Sequence, residues 1–94
     1  MLERRKNMGN LENRLTFGEA LEALKAGKKV ARTGWNGKGM YLYLADGKLL
    51  TQEIGDGSYP FADSIVMKTA DNRYCIGWLA SQTDMLAEDW HIAE

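Results

Sequence analysis

Apolar positions first settle into a period at Leu15. Phe17, Ala20, Leu21 and Leu24 recur at helical spacing and define one buried stripe. Thr16 and Glu19 flank its start as a capping box: the threonine hydroxyl accepts from the Glu19 amide while the carboxylate reaches back. Lys25 in the last turn suits the negative end of a helix, and Gly27 stands where a left-handed cap is wanted. These signals predict a helix over about 17–26.

The period then shortens to two. Lys28 to Arg32 alternates weakly and reads as a strand, after which Gly34, Gly37 and Gly39 interrupt any regular element. Met40 to Leu44 resumes as a strand, aliphatic on one face and tyrosine (Tyr41, Tyr43) on the other. Ala45-Asp46-Gly47 reads as a hairpin turn, Lys48 to Thr51 as the return strand, and residues 52–60 as a loop. Ser64 to Thr69 and Tyr74 to Leu79 read as strands joined around Asp71-Asn72. Ser81 to Ala87 forms a short helix capped by Ser81, with Asp84 at the third position. Trp90 to Ala93 reads as a final edge strand. The expected fold is α+β: an N-terminal helix packed on a small curved, mostly antiparallel sheet, with a short second helix late in the chain. Connections this short argue against a parallel βαβ arrangement.

Length changes the picture in one respect. A chain of 94 residues makes one small domain, read as 15–94, preceded by a poorly ordered extension over 1–14. Such a domain buries roughly 60–65% of its unfolded surface. Its core is thin, and self-association is a natural way to add burial. Twelve basic and thirteen acidic residues leave a net charge of −1, which argues against a partner that is a nucleic-acid polymer. No apolar run approaches the ~20 residues of a membrane span, and no apolar segment follows the charged N-terminus as in a signal peptide. The single cysteine, Cys75, sits in an apolar stretch and reads as a small inert hydrophobe in a reducing cytoplasm.

Two polar islands carry the candidate chemistry. The first is Arg32-Thr33-Gly34-Trp35-Asn36-Gly37-Lys38-Gly39. Its glycines let backbone amides approach a ligand. Trp35 offers a π face, Asn36 suits a base edge or sugar, and Arg32 and Lys38 suit phosphate. The plainer alternative is a tight connection whose Trp35 covers the sheet. The second island joins Trp78 to Ser81, Gln82, Thr83 and Asp84. A carboxylate in the first turn repels phosphate and suits ribose hydroxyls or an exocyclic amine. Helix capping is the competing role of Ser81 and Asp84, and core packing that of Trp78. Both islands together suggest tryptophan-bearing turns that converge to sandwich a nucleotide-like molecule.

Catalytic readings find less support. His91 is the only histidine, and Ser81 lacks the Gly-x-Ser-x-Gly elbow of a hydrolase nucleophile. No ligand spacing supports a metal site. No catalytic residue, metal or cofactor is expected. Glu88 and Asp89 read as a solvated turn.

Three blocks carry a resemblance to a known family: Phe17 to Lys25 continued through Gly27 to Arg32, then Gly34 to Met40, and Trp78 to Trp90. Together they resemble the Thoeris anti-defence protein 2 family, small phage-encoded proteins, over about residues 15–93. The resemblance implies a non-enzymatic sponge that binds a cyclic ADP-ribose isomer (glyco-cyclic ADP-ribose) made by the Thoeris system, without cleaving it. Some members also hold cyclic oligonucleotides. It implies a homotetramer of two dimers in the host cytoplasm, with pockets between subunits. Carried onto this chain, it implies ligand contacts from Trp35, Asn36 and Gly37 and from Trp78, Ser81, Gln82, Thr83 and Asp84. The chain departs from the family at residues 1–14, which precede the usual start, and at 52–60, which is shorter than in relatives. Two other classes compete: a module that blocks a host protein directly, and a small nucleotide-processing enzyme.

Overall fold

The computed structural model describes residues 14–93; the expectation for 1–14 therefore lies outside the described residues except at Arg14. Helix α1 spans Phe17–Lys25. Its start follows the capping box, with Thr16 N–H donating to Glu19 at 2.8 Å and Glu19 N–H donating to the Thr16 hydroxyl at 3.2 Å. Gly27 adopts φ +88° just after its end.

Five short strands follow: β1 Val30–Arg32, β2 Tyr41–Ala45, β3 Ser64–Lys68, β4 Tyr74–Ile76 and β5 Trp90–Ile92. They form one antiparallel sheet in the order β4-β3-β2-β1-β5. The first four make a meander. The last must then cross from one edge of the sheet to the other, and residues 77–89 make that crossing. Alternation puts Val30, Leu42, Leu44, Ile65, Met67 and Trp90 on the face that α1 covers. Trp90, Leu42 and Val30 are fully buried there, with Ala20 and Leu24 of α1 against them. The outer edge of β5 is partly covered: Leu15 and Trp90 exchange two backbone hydrogen bonds, of 2.8 and 3.2 Å.

Three expectations are corrected. Asp46-Gly47 does not turn a hairpin, and Lys48 to Thr51 is not a strand. Helix α2 occupies Gly47–Ile54, with the Asp46 side chain accepting from Lys48 N–H at 2.7 Å as its cap. Gly47 is needed for close approach: a Cβ there would lie 2.2 Å from the Phe61 carbonyl oxygen. The strand expected over Tyr74 to Leu79 stops at Ile76, because Gly77 adopts φ +91° and turns the chain. Gly77 and Trp78 both donate their N–H to the Ile65 carbonyl at 2.9 Å. Cys75 is exposed rather than packed in an apolar strand interior. The short helix expected late in the chain is α3, Gln82–Leu86.

Candidate functional site

The crossing segment decides the site. It carries the second polar island over the α1 face of the sheet, where the first island leaves β1. Trp35 and Trp78 meet there, with ring centroids 6.3 Å apart at 65°. Trp90 joins both, at 5.4 Å from Trp35 and 6.3 Å from Trp78, each nearly edge-on. Such edge-to-face contacts are the favoured geometry for indoles. They also correct one expectation. Two rings in edge contact leave no slot between them for a flat base, so within one chain the tryptophans converge without forming a sandwich. Trp35 and Trp78 remain half-buried, and each keeps some indole surface open to solvent.

A buried ion network locks the islands together. Arg32 leaves β1 on the α1 side, donating from Nη1 to Asp84 and from Nε to Asp89, each at 2.9 Å. Asp84 Oδ1 also accepts from Trp35 Nε1 at 3.3 Å. Its Oδ2 accepts from the Ser81 amide at 3.0 Å and the Ser81 hydroxyl at 2.9 Å, and Asp84 N–H returns a bond to Ser81 Oγ at 3.1 Å. The Asp84 carbonyl accepts from Trp90 Nε1 at 3.0 Å. One buried carboxylate therefore caps α3, pairs with Arg32 and fixes Trp35. Ser81 and Asp84 form the capping box weighed for them.

Asp89 does the same for the first island. Its Oδ2 accepts from Gly34 N–H at 2.7 Å, and its carbonyl accepts from Thr33 N–H at 3.1 Å. A Cβ at Gly34 would sit 2.9 Å from that carboxylate, so glycine permits the approach. Asp89 is thus half-buried and paired, not the solvated charge expected from the sequence. At the far end of the loop, Gly37 packs where a Cβ would lie 2.5 Å from the Ala70 side chain. The Gly39 carbonyl accepts from Lys68 Nζ at 3.0 Å.

These contacts set the protonation states. Burial disfavours the Asp84 carboxylate, but bonds from Ser81, Arg32 and Trp35 more than offset it and hold its pKa below the ordinary value. Burial likewise works against Asp89, and Arg32 and the Gly34 amide turn the balance downward. The Arg32 guanidinium is pushed up, first by its bond to Asp89, against burial and with Asp84 adding to the rise. All three groups are charged and engaged with one another.

The remaining sequence candidates are placed as follows. Arg32, Trp35, Trp78, Ser81 and Asp84 are brought into one cluster. Gly37 is half-buried in the first loop, while Asn36 and Lys38 are exposed on it. Gln82 and Thr83 are exposed in the first turn of α3. Arg32 is engaged by two carboxylates, which makes it an internal brace between the islands. Two residues outside the candidate set complete the arrangement: Asp89 as the second acceptor for Arg32, and Trp90 as the floor under both indoles. Trp90 was signalled by its place in a strand beside apolar neighbours. Asp89 gave no local signal, since its partner Arg32 lies 57 residues away.

No group of three or more His, Cys, Asp or Glu side chains suited to a metal ion occurs among the described residues, and no described helix is long and apolar enough to cross a membrane. The family description "Tad2-like: Thoeris anti-defense 2-like domain" matches residues 15–93, a span that includes both islands and the crossing segment. A Bacillus phage SP01 protein named Thoeris anti-defense 2 is 47% identical over 88 residues, covering 87% of this chain and 98% of the relative. By that match over nearly all of both proteins, the chain belongs to the Thoeris anti-defense 2-like family.

Proposed function

We propose that this protein is a phage anti-Thoeris inhibitor that works as a sponge, holding a cyclic ADP-ribose isomer without cleaving it. The observation that carries the reading is the braced pair Trp35 and Trp78, with Asn36, Lys38, Gln82 and Thr83 exposed on the same two segments. The half-open indoles suit a nucleobase lying against them. The exposed amide, hydroxyl and ammonium groups suit ribose and pyrophosphate. Stacking of a base on an aromatic contributes ~1–3 kcal/mol, and hydrogen bonds to charged groups about 1.5–3 kcal/mol each. A few such contacts reach the roughly −12 kcal/mol of nanomolar binding.

The same site is poorly equipped for turnover. Asp84 and Asp89 are each engaged by donors, and their lowered pKa values keep either from serving as a general acid near neutral pH. That supports capture over hydrolysis. The reading includes a homo-oligomer in the infected cell, in which a second protomer closes the open side of the indoles. Cyclic oligonucleotides share the base, sugar and phosphate chemistry and belong to the same ligand class.

A second reading, direct blockade of a host protein, is favoured by the apolar side chains around α3. Leu79 and Leu86 are 88% and 74% exposed.

Calorimetric titration with purified cyclic ADP-ribose isomers tests the first reading. The expected outcome is stoichiometric, tight binding that Trp78→Ala and Gln82→Ala each weaken by about tenfold or more. Heatless titrations with every isomer, alongside recovery of a stoichiometric host protein, would move the assignment to the second.

A further inference from the structure

The loop that carries the first island has a composition that resists order. Between β1 and β2 the chain runs through Gly34, Gly37 and Gly39, and glycine loses more conformational freedom on ordering than any other residue. A loop of this kind, left to itself, samples many shapes, and only a fraction of them presents Trp35, Asn36 and Lys38 together. Apparent affinity for a ligand falls in proportion to that fraction. Asp89 supplies the restraint. It accepts from three successive residues where the loop begins: Arg32 Nε donates to its Oδ1 at 2.9 Å, Thr33 N–H to its carbonyl at 3.1 Å, and Gly34 N–H to its Oδ2 at 2.7 Å.

The sheet puts Asp89 in that place. Arg32 pairs with Trp90 at the last register position of β1 and β5, so Thr33 and Asp89 face each other one step beyond, where the ladder ends. The strand therefore turns into the loop against a carboxylate. Both oxygens of that carboxylate hold protein donors, which leaves the ligand to the exposed groups of the loop. Arg32 carries the restraint onward, since its Nη1 donates to Asp84, the acceptor of Trp35 Nε1. At the far end of the loop, Lys68 Nζ meets the Gly39 carbonyl at the surface. No amide replaces the carboxylate at position 89. An asparagine has one acceptor oxygen, and its nitrogen only donates, so it must release either Arg32 or Gly34.

We propose that Asp89 is a positioning residue of the ligand site: by bridging Arg32 and the Gly34 amide, it holds the Trp35-Asn36-Gly37-Lys38 loop in its binding shape before the ligand arrives. The inference rests on the ligand site of the proposed function and adds a residue that touches no ligand. It also states where in the kinetics the effect appears. Losing a direct contact speeds dissociation. Losing preorganisation lowers the share of molecules able to bind, while the complex, once formed, comes apart as before. Loop motions are fast, in the nanosecond to microsecond range, so the lost share appears as a slower association rate. A brace that served stability alone would lower the Tm and leave both rate constants unchanged.

The test is stopped-flow tryptophan fluorescence of the full chain with glyco-cyclic ADP-ribose, comparing wild type with Asp89→Asn, Gly34→Ala and Trp78→Ala. Circular dichroism checks that each variant folds. Gly34→Ala disturbs the same bond from the loop side, because its Cβ would lie 2.9 Å from Asp89 Oδ2 and 3.3 Å from Arg32 Nη2. It carries the test should Asp89→Asn fail to fold. Asp89→Asn and Gly34→Ala are each expected to lower the association rate constant about tenfold, with dissociation changed by less than about twofold. The double variant is expected to fall little further, since both changes break one bond. Trp78→Ala, which removes a contact, is expected to raise the dissociation rate about tenfold instead. In ligand-free Asp89→Asn, amide exchange at Gly34 and Trp35, followed by NMR, is expected to quicken about tenfold or more. Unchanged association in the folded variants, or a loss confined to dissociation, overturns the positioning role and leaves the sponge reading intact. Unchanged exchange at Gly34 overturns it without reference to any ligand. A wild type that binds nothing removes the ligand site, and this inference with it.

Discussion

The two faces of the sheet carry two aromatic clusters of opposite character. On the α1 side, Trp35, Trp78 and Trp90 pack edge-on, and the nitrogens of Trp35 and Trp90 donate to Asp84. Beside them Arg32 pairs with Asp84 and Asp89. On the far side, Tyr43 touches both Tyr41 and Tyr74; Tyr74 stands largely in solvent, while Tyr41 and Tyr43 are half-buried. The Tyr74 hydroxyl has its pKa raised chiefly by a hydrogen bond to Tyr41, a bond made on an open surface. Aromatic content alone does not separate the two. What separates them is whether the chain supplies polar partners from a distance, as Arg32, Asp84 and Asp89 do for the tryptophans.

The contrast can be broken most severely at the floor of the indole cluster. Trp90 is fully buried, and Trp90→Ala is expected to cost about 3–5 kcal/mol. Denaturant unfolding measures it. For a domain whose whole stability is about 5–15 kcal/mol, such a variant is expected to be largely unfolded in mild denaturant.

The ion network comes next. Asp84→Ala leaves Arg32 short of one carboxylate and Trp35 short of its acceptor. With the Arg32 and Asp84 side chains only 14% and 12% exposed, the expected loss is about 3 kcal/mol, seen as a Tm fall of about 10–20 °C. Asp84→Asn keeps an acceptor for Trp35 and is expected to lose less. A near-ultraviolet dichroism signal unchanged in Asp84→Ala would show that the network does not hold the indoles.

Acid sharpens the same point. The folded pKa values of Asp84 and Asp89 are lowered, so their contribution is fully present above the unfolded value near ~4. It is lost as pH falls through the lowered folded values. Unfolding free energy is expected to fall over that acid range, and the Asp84→Asn, Asp89→Asn double variant to show a flatter profile. Equal acid sensitivity in the double variant would shift the titration to other groups.

The smallest effect belongs to the tyrosine face. Tyr74→Ala, read on dilute monomer, is expected to change stability by no more than about 0.5 kcal/mol. A loss comparable to that at Asp84 would erase the distinction between the faces.

Local chemistry was legible in the sequence and distant pairing was not. The Thr16 and Ser81 capping boxes are written within four residues, and both helices start where those boxes place them. The five strands and both tryptophan islands followed from alternation and glycine punctuation. Asp46-Gly47 misled because the pair has two local uses. A tight hairpin needs positive φ, but here Asp46 caps a helix and Gly47 clears a path for the Phe61 backbone. That path is set by a return segment more than ten residues on. Asp89 was misread for the same reason, since only the crossing of residues 77–89 brings it to Arg32. Arg32 itself looked like a phosphate ligand because the sequence displays its charge and hides its partners.

The account turns on capture without chemistry. Purified protein should be incubated with lysate of cells whose Thoeris system is active, recovered, washed and heat-denatured, and the released small molecules identified by mass spectrometry. The account predicts depletion of the cyclic ADP-ribose isomer from the lysate and its release intact, in proportion to the protein added. Recovery of a hydrolysed product, or a lysate signal left undiminished by excess protein, would contradict it.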